Sequence, residues 1–551
     1  MKKPFILKIC CVILFMAIPL ATFAQSIENQ IDQLMSDQYK KEASGATILV
    51  AKDGKVIFRK AYGKANLELD IDMIPENIFE IGSITKQFTA VGILMLLEEG
   101  KLSLEDEITK YIPDYPTQDT KITIHHLLTH TSGIKSYTSM DSLREYARKD
   151  ISPTELIDAF KNEPMDFKPG EQFRYNNSGY ALLGYIIEKI TGKTYEEFVQ
   201  KRIFDKVKMK NSYYGSKSKL IKNRAYGYQE RKNGYVNADY ISMKVPYAAG
   251  SLMSTVDDLY KWNTAIRNHK LISKESTKKA FTNYKIDNGN NISYGYGWFM
   301  ARIQDVPVIE HGGGIFGYTS QGMYVPSENV YVIILTNCDC ISPTDIAYKI
   351  AAVTIGKSVP KVSDAITLNK EQLQKWVGAY KFSDGTIRFI TLKGNQLYSQ
   401  RIDSNGKSKI YPLSEDHFFF DDGYSELLFT NDSKRKAVFR NKRAEFNGEE
   451  SDVEMPEAKK EIQLSAEVLK KYAGTYQLMP NMELEIIVEG DRIFGQPTNQ
   501  SKAELFAESE DNFFLKVVPA TVTFEIDPAT KLPISLTLDQ GGRKTTAKKI
   551  K

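Results

Sequence analysis

Three short motifs follow one another along this chain: Ser83-Ile84-Thr85-Lys86, then Tyr175-Asn176-Asn177, then His311-Gly312-Gly313-Gly314. Together they could build one acyl-transfer site. A serine hydroxyl attacks a carbonyl only when a neighbouring group takes its proton. Residues i and i+3 share a helix face, so Lys86 stands one turn beyond Ser83 and within reach of its hydroxyl. A lysine desolvated among apolar side chains has its charged form disfavoured and can act as that base. The run from Ile84 to Glu99 is nearly apolar all round and stops at Gly100, as expected of a helix inside a protein core. Other S-x-x-K spacings occur at Ser216–Lys219, Ser276–Lys279, Ser404–Lys407 and Ser433–Lys436, and Y-x-N recurs at Tyr235–Asn237. Those S-x-x-K segments are Lys-rich or polar and offer no buried setting. Alone, Ser83 and Lys86 also read as a capping serine and a snorkelling lysine.

Tyr175 follows Pro169-Gly170 and precedes Ser178-Gly179-Tyr180, which places it in a tight loop ahead of a helix. Catalytic groups concentrate in such loops. There Tyr175 could pass a proton from Ser83 to a leaving group, and Asn177 could hold Lys86 or a substrate amide. A Tyr and an Asn that merely complete a turn are the plainer reading of this motif by itself. Glycines on a sheet edge, as at 312–314, let another backbone approach, so an extended substrate could lie along His311 and Gly313 as an added strand. The backbone N–H groups of Ser83 and Gly314 would then bind the oxyanion.

The elements that must position these residues are legible in outline. Ile27, Ile31, Leu34, Met35 and Tyr39 recur at helical spacing. Two apolar runs, Ala46–Ala51 and Val56–Tyr62, are joined through Asp53-Gly54, a strong hairpin signal. Helical stretches follow at Ile124–Leu128, Pro153–Lys161, Tyr180–Lys189, Tyr195–Arg202 and Asp257–Arg267, with strands over Gly322–Val325 and Val330–Thr336 and a last helix from Ser342-Pro343 to Gly356. This predicts an α/β (α+β) arrangement, an antiparallel sheet flanked by helices. After Lys357 short alternating strands take over. Leu373–Tyr380 and Leu469–Tyr476 repeat at an offset of 96 residues, and Asp416–Phe419 matches Asp511–Phe514 at 95. Two tandem up-and-down β-barrels are expected, with the charged stretch Glu449–Glu461 as an exposed linker between them.

Composition excludes some functions. The chain has 551 residues, enough for about three domains, and its 42% hydrophobic and 26% charged content is that of a globular protein. Lys2, Lys3 and Lys8 flank a short apolar run, and Thr22-Phe23-Ala24 offers a cleavage site, so residues 1–24 read as a secretory signal. Their removal takes away three lysines and no acid, and the formal net charge falls from +4 to +1. That balance gives no case for nucleic acid, and contact with a membrane is expected only through the leading segment. Cys338 and Cys340, two apart on an apparent strand, are expected to stay unpaired as core residues. His126 and His130 lie i, i+4, a spacing that can bind zinc, but no Glu follows His126, and packing is the expected role. The cluster Tyr294–Trp298 reads as buried aromatic packing.

The three motifs, with Phe79–Lys86, Ile124–Gly133, Phe167–Gly170, Tyr175–Gly184 and Gly250–Thr255, resemble the serine β-lactamase and penicillin-binding-protein superfamily, in the branch of class C β-lactamases, D-alanyl-D-alanine carboxypeptidases, D-aminopeptidases and related esterases. The resemblance covers about residues 30–357. It implies Ser83 as acylated nucleophile, Lys86 and Tyr175 as general bases, Asn177 as a contact to lysine and substrate, and His311 with Gly313 on the binding edge. It implies no cofactor and no metal, and a small peptide, amide or ester substrate, cell-wall peptides among them. The implied plan is a signal peptide (1–24), a hydrolase domain (25–357) and two barrel-like domains (358–457 and 458–551). One departure is His311, where the β-lactamases of this superfamily carry Lys. Histidine is mostly neutral near pH 7, which moves the expectation from penicillin hydrolysis towards peptidase, amidase or esterase work. A binding protein that keeps the fold without turnover is the rival from another class.

Overall fold

The computed structural model describes residues 27–551 apart from 141, 405, 456–460, 480–481, 499, 517, 519 and 541–542. The expected signal segment, including the proposed cleavage after Ala24, lies outside the described residues. The chain divides into two compact units between Val359 and Pro360.

Asp53 and Gly54 both take positive φ and turn the Ala46–Lys52 strand into Lys55–Tyr62, as the Asp-Gly signal predicts. Ala46–Lys52 also pairs with Val330–Thr336, so the two ends of the first unit are zipped together. The full sheet is antiparallel and six-stranded. Its order is Phe299–Ile303, Val306–Ile315, Tyr318–Val325, Val330–Thr336, Ala46–Lys52 and Lys55–Tyr62. Every residue of Val330–Thr336 is buried, because helices Val256–Arg267 and Thr344–Thr354 pack against this central strand. A helical lobe built on Thr85–Glu98, Ile124–Leu128 and Asn177–Thr191 shares the same apolar core.

Each half of the second unit closes into an eight-stranded up-and-down barrel, from Gly378–Phe382 to Glu445–Ser451 and from Gly474–Met479 to Arg543–Lys549. The sequence repeat has a physical origin. In each copy a short helix (Lys370–Gln374, Ala466–Lys470) precedes the first strand, and an aromatic residue follows it as a plug. Trp376 Nε1 donates to Glu415 O at 2.7 Å, and Tyr472 OH donates to Glu510 O at 2.7 Å. Tyr380 and Tyr476 then donate back to the plug residue's own carbonyl at 3.0 and 2.9 Å.

Three expectations are corrected. The Val330–Thr336 strand ends before the cysteines, and the turn that follows brings the Cα atoms of Cys338 and Cys340 to 5.2 Å, where their sulphurs are bonded. A bridge that closes so short a loop constrains the unfolded chain little, and stability still rests on packing. Residues Glu449–Ser451 are no linker: they belong to the last strand of the first barrel, where Glu450 pairs with Arg435. The Ile124–Leu128 helix stops at its C-cap Thr129, and His130 takes φ +60, so His126 and His130 do not share a helix face.

Candidate active site

Ser83 sits in a single turn, Gly82–Ile84, that leads into the Thr85–Glu98 helix. From Ile81 to Ala90 every residue is buried except Ser83, which is half-buried. Gly82 permits this turn, since its φ is +51 and a Cβ there would lie 2.8 Å from the backbone nitrogen of Gly314. The same close approach brings the backbones of Ser83 and Gly314 side by side at one cleft, as an oxyanion site requires.

Lys86 is fully buried and its Nζ lies 3.1 Å from Ser83 Oγ. The same nitrogen donates to Asn177 Oδ1 at 2.7 Å and to Ala249 O at 2.9 Å. Burial drives the Lys86 amine well below the usual lysine range. A neutral amine has two N–H groups and one lone pair. In that form the two fixed oxygen acceptors would take both hydrogens and leave the lone pair for the Ser83 hydroxyl. The Asn177 amide is oriented for its part, because its Nδ2 donates to Thr138 Oγ1 at 2.9 Å. None of this is reproduced at Lys279, which pairs with Glu275 on a helix surface, or at Tyr235–Asn237, which lie exposed in a hairpin.

Asn176 caps the Asn177–Thr191 helix by accepting from Gly179 N–H at 2.8 Å, and Tyr175 leaves the cap towards the lysine. Lys86 Nζ stands 4.8 Å from the centroid of its ring. Tyr175 and His311 rings lie 6.0 Å apart, and both pack on Phe299. His311 Nδ1–H donates to Gly312 O at 2.6 Å, and Tyr294 OH meets its Nε2 at 3.1 Å. The buried cluster Tyr294–Trp298 therefore packs as expected but also reaches the site through Tyr294.

The strand carrying His311 runs unbroken from Val306 to Ile315, and its neighbour Phe299–Ile303 pairs only with Val306–Glu310. Among the described residues, 312–315 have no strand partner on that side. Gly313 has a structural task as well. A Cβ there would fall 2.0 Å from Ile81 O and 2.4 Å from Ser320 Oγ, so this glycine lets the strand seat against the Ser83 turn. At Gly314 nothing lies within 4 Å of that position, and the open approach is there.

His130 is the residue whose part the sequence reading missed. Its carbonyl accepts from Arg174 N–H at 3.0 Å, and its Nδ1 accepts from Asn176 N–H at 3.1 Å, so it brackets Tyr175 on both sides. Its ring centroid is 4.3 Å from that of Tyr175. Burial holds the ring well below the ordinary histidine range, and only an unprotonated Nδ1 can accept. His130→Leu is expected to lower kcat about 100-fold with KM little changed, since the Tyr175 loop loses its tether. His130→Asn, which restores an acceptor and tolerates positive φ, should recover part of that loss. Equal kcat in the two variants, measured on folded protein, would reduce His130 to packing.

A sheet flanked by helices, with a buried lysine set against a half-buried serine at its edge, defines the class of serine β-lactamase and penicillin-binding-protein-like proteins. The chain belongs to the Beta-lactamase family, whose model matches residues 27–350, and residues 458–547 match a domain of unknown function, DUF3471. It is 27% identical over 433 residues to penicillin-binding protein 4* of Bacillus subtilis, covering 74% of this chain and 94% of the relative. Among solved structures it is similar to the octameric penicillin-binding protein homologue from Pyrococcus abyssi, at 28% identity and TM-score 0.53 over 77% of this chain and 99% of the other. D-amino acid amidase from Ochrobactrum anthropi shares the fold at 23% identity and TM-score 0.54, over 60% of this chain and 99% of the other.

Proposed function

We propose that this protein is a serine hydrolase that acts through an acyl-enzyme on Ser83. One observation carries the reading: the fully buried Lys86 amine stands 3.1 Å from the Ser83 hydroxyl and is held there by Asn177 Oδ1 and Ala249 O at 2.7 and 2.9 Å. Lys86 takes the Ser83 proton as Oγ attacks the carbonyl. The backbone N–H groups of Ser83 and Gly314 bind the oxyanion. Tyr175, beside Lys86, returns the proton to the leaving group, and water then releases the acyl group with the same bases. The substrates are peptides containing D-amino acids, or small amides and esters, in the manner of a D-alanyl carboxypeptidase or D-aminopeptidase. His311 in the place of a permanently charged lysine supports this over penicillin hydrolysis. The lysine-flanked apolar leader supports export to the periplasm or beyond the cell.

The test is to incubate the mature protein, beside Ser83→Ala, with a fluorescent penicillin and with D-alanine 4-nitroanilide. The expected result is covalent labelling at Ser83 and slow or no penicillin release, with turnover of the anilide, all lost in the variant. Labelling that persists in the variant overturns the nucleophile. Labelling without turnover of any amide or ester would leave a penicillin-binding module.

A further inference from the structure

We propose that the cleft beside Ser83 is an acyl-group pocket that selects uncharged, apolar acyl chains, an inference that rests on the hydrolase reading above. The cleft has a volume of about 300 Å³ and is bordered by Ser83 and Asn177. Its wall is made by Leu143, Ile241, Val245, Ile315 and Phe316, with the ring of Tyr137. The Tyr137 hydroxyl is turned away into the protein, where it donates to Val245 O at 2.9 Å. The polar floor is the Asn177 amide and the Thr138 hydroxyl, bonded to each other. Among the described residues no Asp, Glu, Lys, Arg or His lines the cleft.

Geometry decides which half of a substrate enters. Tyr175 and His311 do not border the cleft, whereas Asn177, Gly314 and Phe316 do. With Tyr175 returning the proton, the leaving group departs on the Tyr175 side, so the cleft beyond Gly314 receives the acyl half. A carboxylate or ammonium at the far end of an acyl chain seated there would give up its hydration and meet no counter-charge among the described residues that line the cleft. The α-ammonium of a D-alanyl group, on the carbon next to the carbonyl, would instead stay beside Ser83. A methylene placed there instead leaves water for apolar contact, worth about fourfold per group, the equivalent of about 0.8 kcal/mol. Side chains bearing charge, as in many cell-wall peptides, would therefore have to lie outside this cleft.

The full-length mature protein can be tested with 4-nitrophenyl acetate, butanoate, hexanoate and hemisuccinate, which share one leaving group. The expected kcat/KM rises about fourfold per methylene from acetate to hexanoate, and hemisuccinate falls at least about tenfold below butanoate, its uncharged analogue in length. Phe316→Arg, on the half-buried turn of the wall, should raise the hemisuccinate-to-butanoate ratio. Ser83-dependent turnover with a flat chain-length series, or with hemisuccinate as good as butanoate, overturns the inference and leaves the hydrolase reading intact. No Ser83-dependent turnover of any ester overturns the inference, and with no turnover of the anilide either it overturns both. If Phe316→Arg does not fold, the wild-type series alone decides.

Discussion

Replacing Lys86 with methionine is expected to lower kcat about 1,000-fold and, at the same time, to change how stability depends on pH. The first effect follows from loss of the base, at the scale ordinary for general-base removal. The second follows from where the amine sits. Burial puts its folded-state pKa well below the usual lysine value. Between that lowered pKa and the unfolded value near 10.4, the unfolded chain holds a proton that the folded protein does not. Stability therefore rises with pH across that window, by about 1.4 kcal/mol per unit. Methionine carries no proton and removes this slope. It also strands two acceptors, Asn177 Oδ1 and Ala249 O, at about 1–3 kcal/mol each. That loss does not vary with pH, so the slope separates the two effects. Denaturant midpoints should climb with pH in the wild type up to about pH 10 and stay flatter in the variant. Parallel curves would mean that Lys86 is charged in the folded protein, and a charged ammonium has no lone pair for Ser83.

Much of this site could be read from the sequence because its residues carry their own geometry. Helical spacing alone places Lys86 over Ser83, and the apolar run around them signals a buried amine, as the structure bears out. Tyr175 is legible as a loop residue before a helix, while Asn177, expected in the same loop, proves to be the first residue of that helix with Asn176 its cap. What the sequence could not show is contact through the backbone. Ala249 O completes the lysine's hydrogen bonds, yet a carbonyl leaves no mark on residue type. The part His130 plays is not legible because it lies two residues past the helix end at Leu128, and a single residue in left-handed conformation cannot be inferred from helical spacing. The cysteines failed similarly: a strand assigned through Cys340 forbids the bond that the turn after Thr336 allows. In the barrels, the repeat of Leu373–Tyr380 was visible because the plug residue and its tyrosine recur at fixed spacing. The charges of Glu449–Ser451 misled, since on a two-faced strand charge marks the outer face as readily as it marks a linker.

The three glycines after His311 look equivalent in the sequence, and the structure makes them sharply unequal, which gives the second large expected effect. Gly313→Ala should lower kcat about 100-fold and destabilise the fold by about 1–3 kcal/mol or more. Its added methyl would stand 2.0 Å from Ile81 O, a backbone atom that cannot swing aside. Ile81 is fixed in turn, its N–H donating to Leu252 O at 2.9 Å and its carbonyl accepting from Ser320 Oγ at 3.0 Å. Relief can come only from parting the strand and the Ser83 turn, which also parts the N–H groups of Ser83 and Gly314. Gly314→Ala meets nothing within 4 Å and should hold its stability within about 0.5 kcal/mol. Gly312→Ala falls between them, because its nearest atom, Gln321 Oε1 at 2.9 Å, ends a side chain that itself accepts from Thr344. The order of stability is therefore 314, then 312, then 313, and thermal unfolding of the three variants reads it directly. Were Gly313→Ala as stable and as active as Gly314→Ala, the strand would not be seated on the nucleophile turn, and the oxyanion site would need some other support.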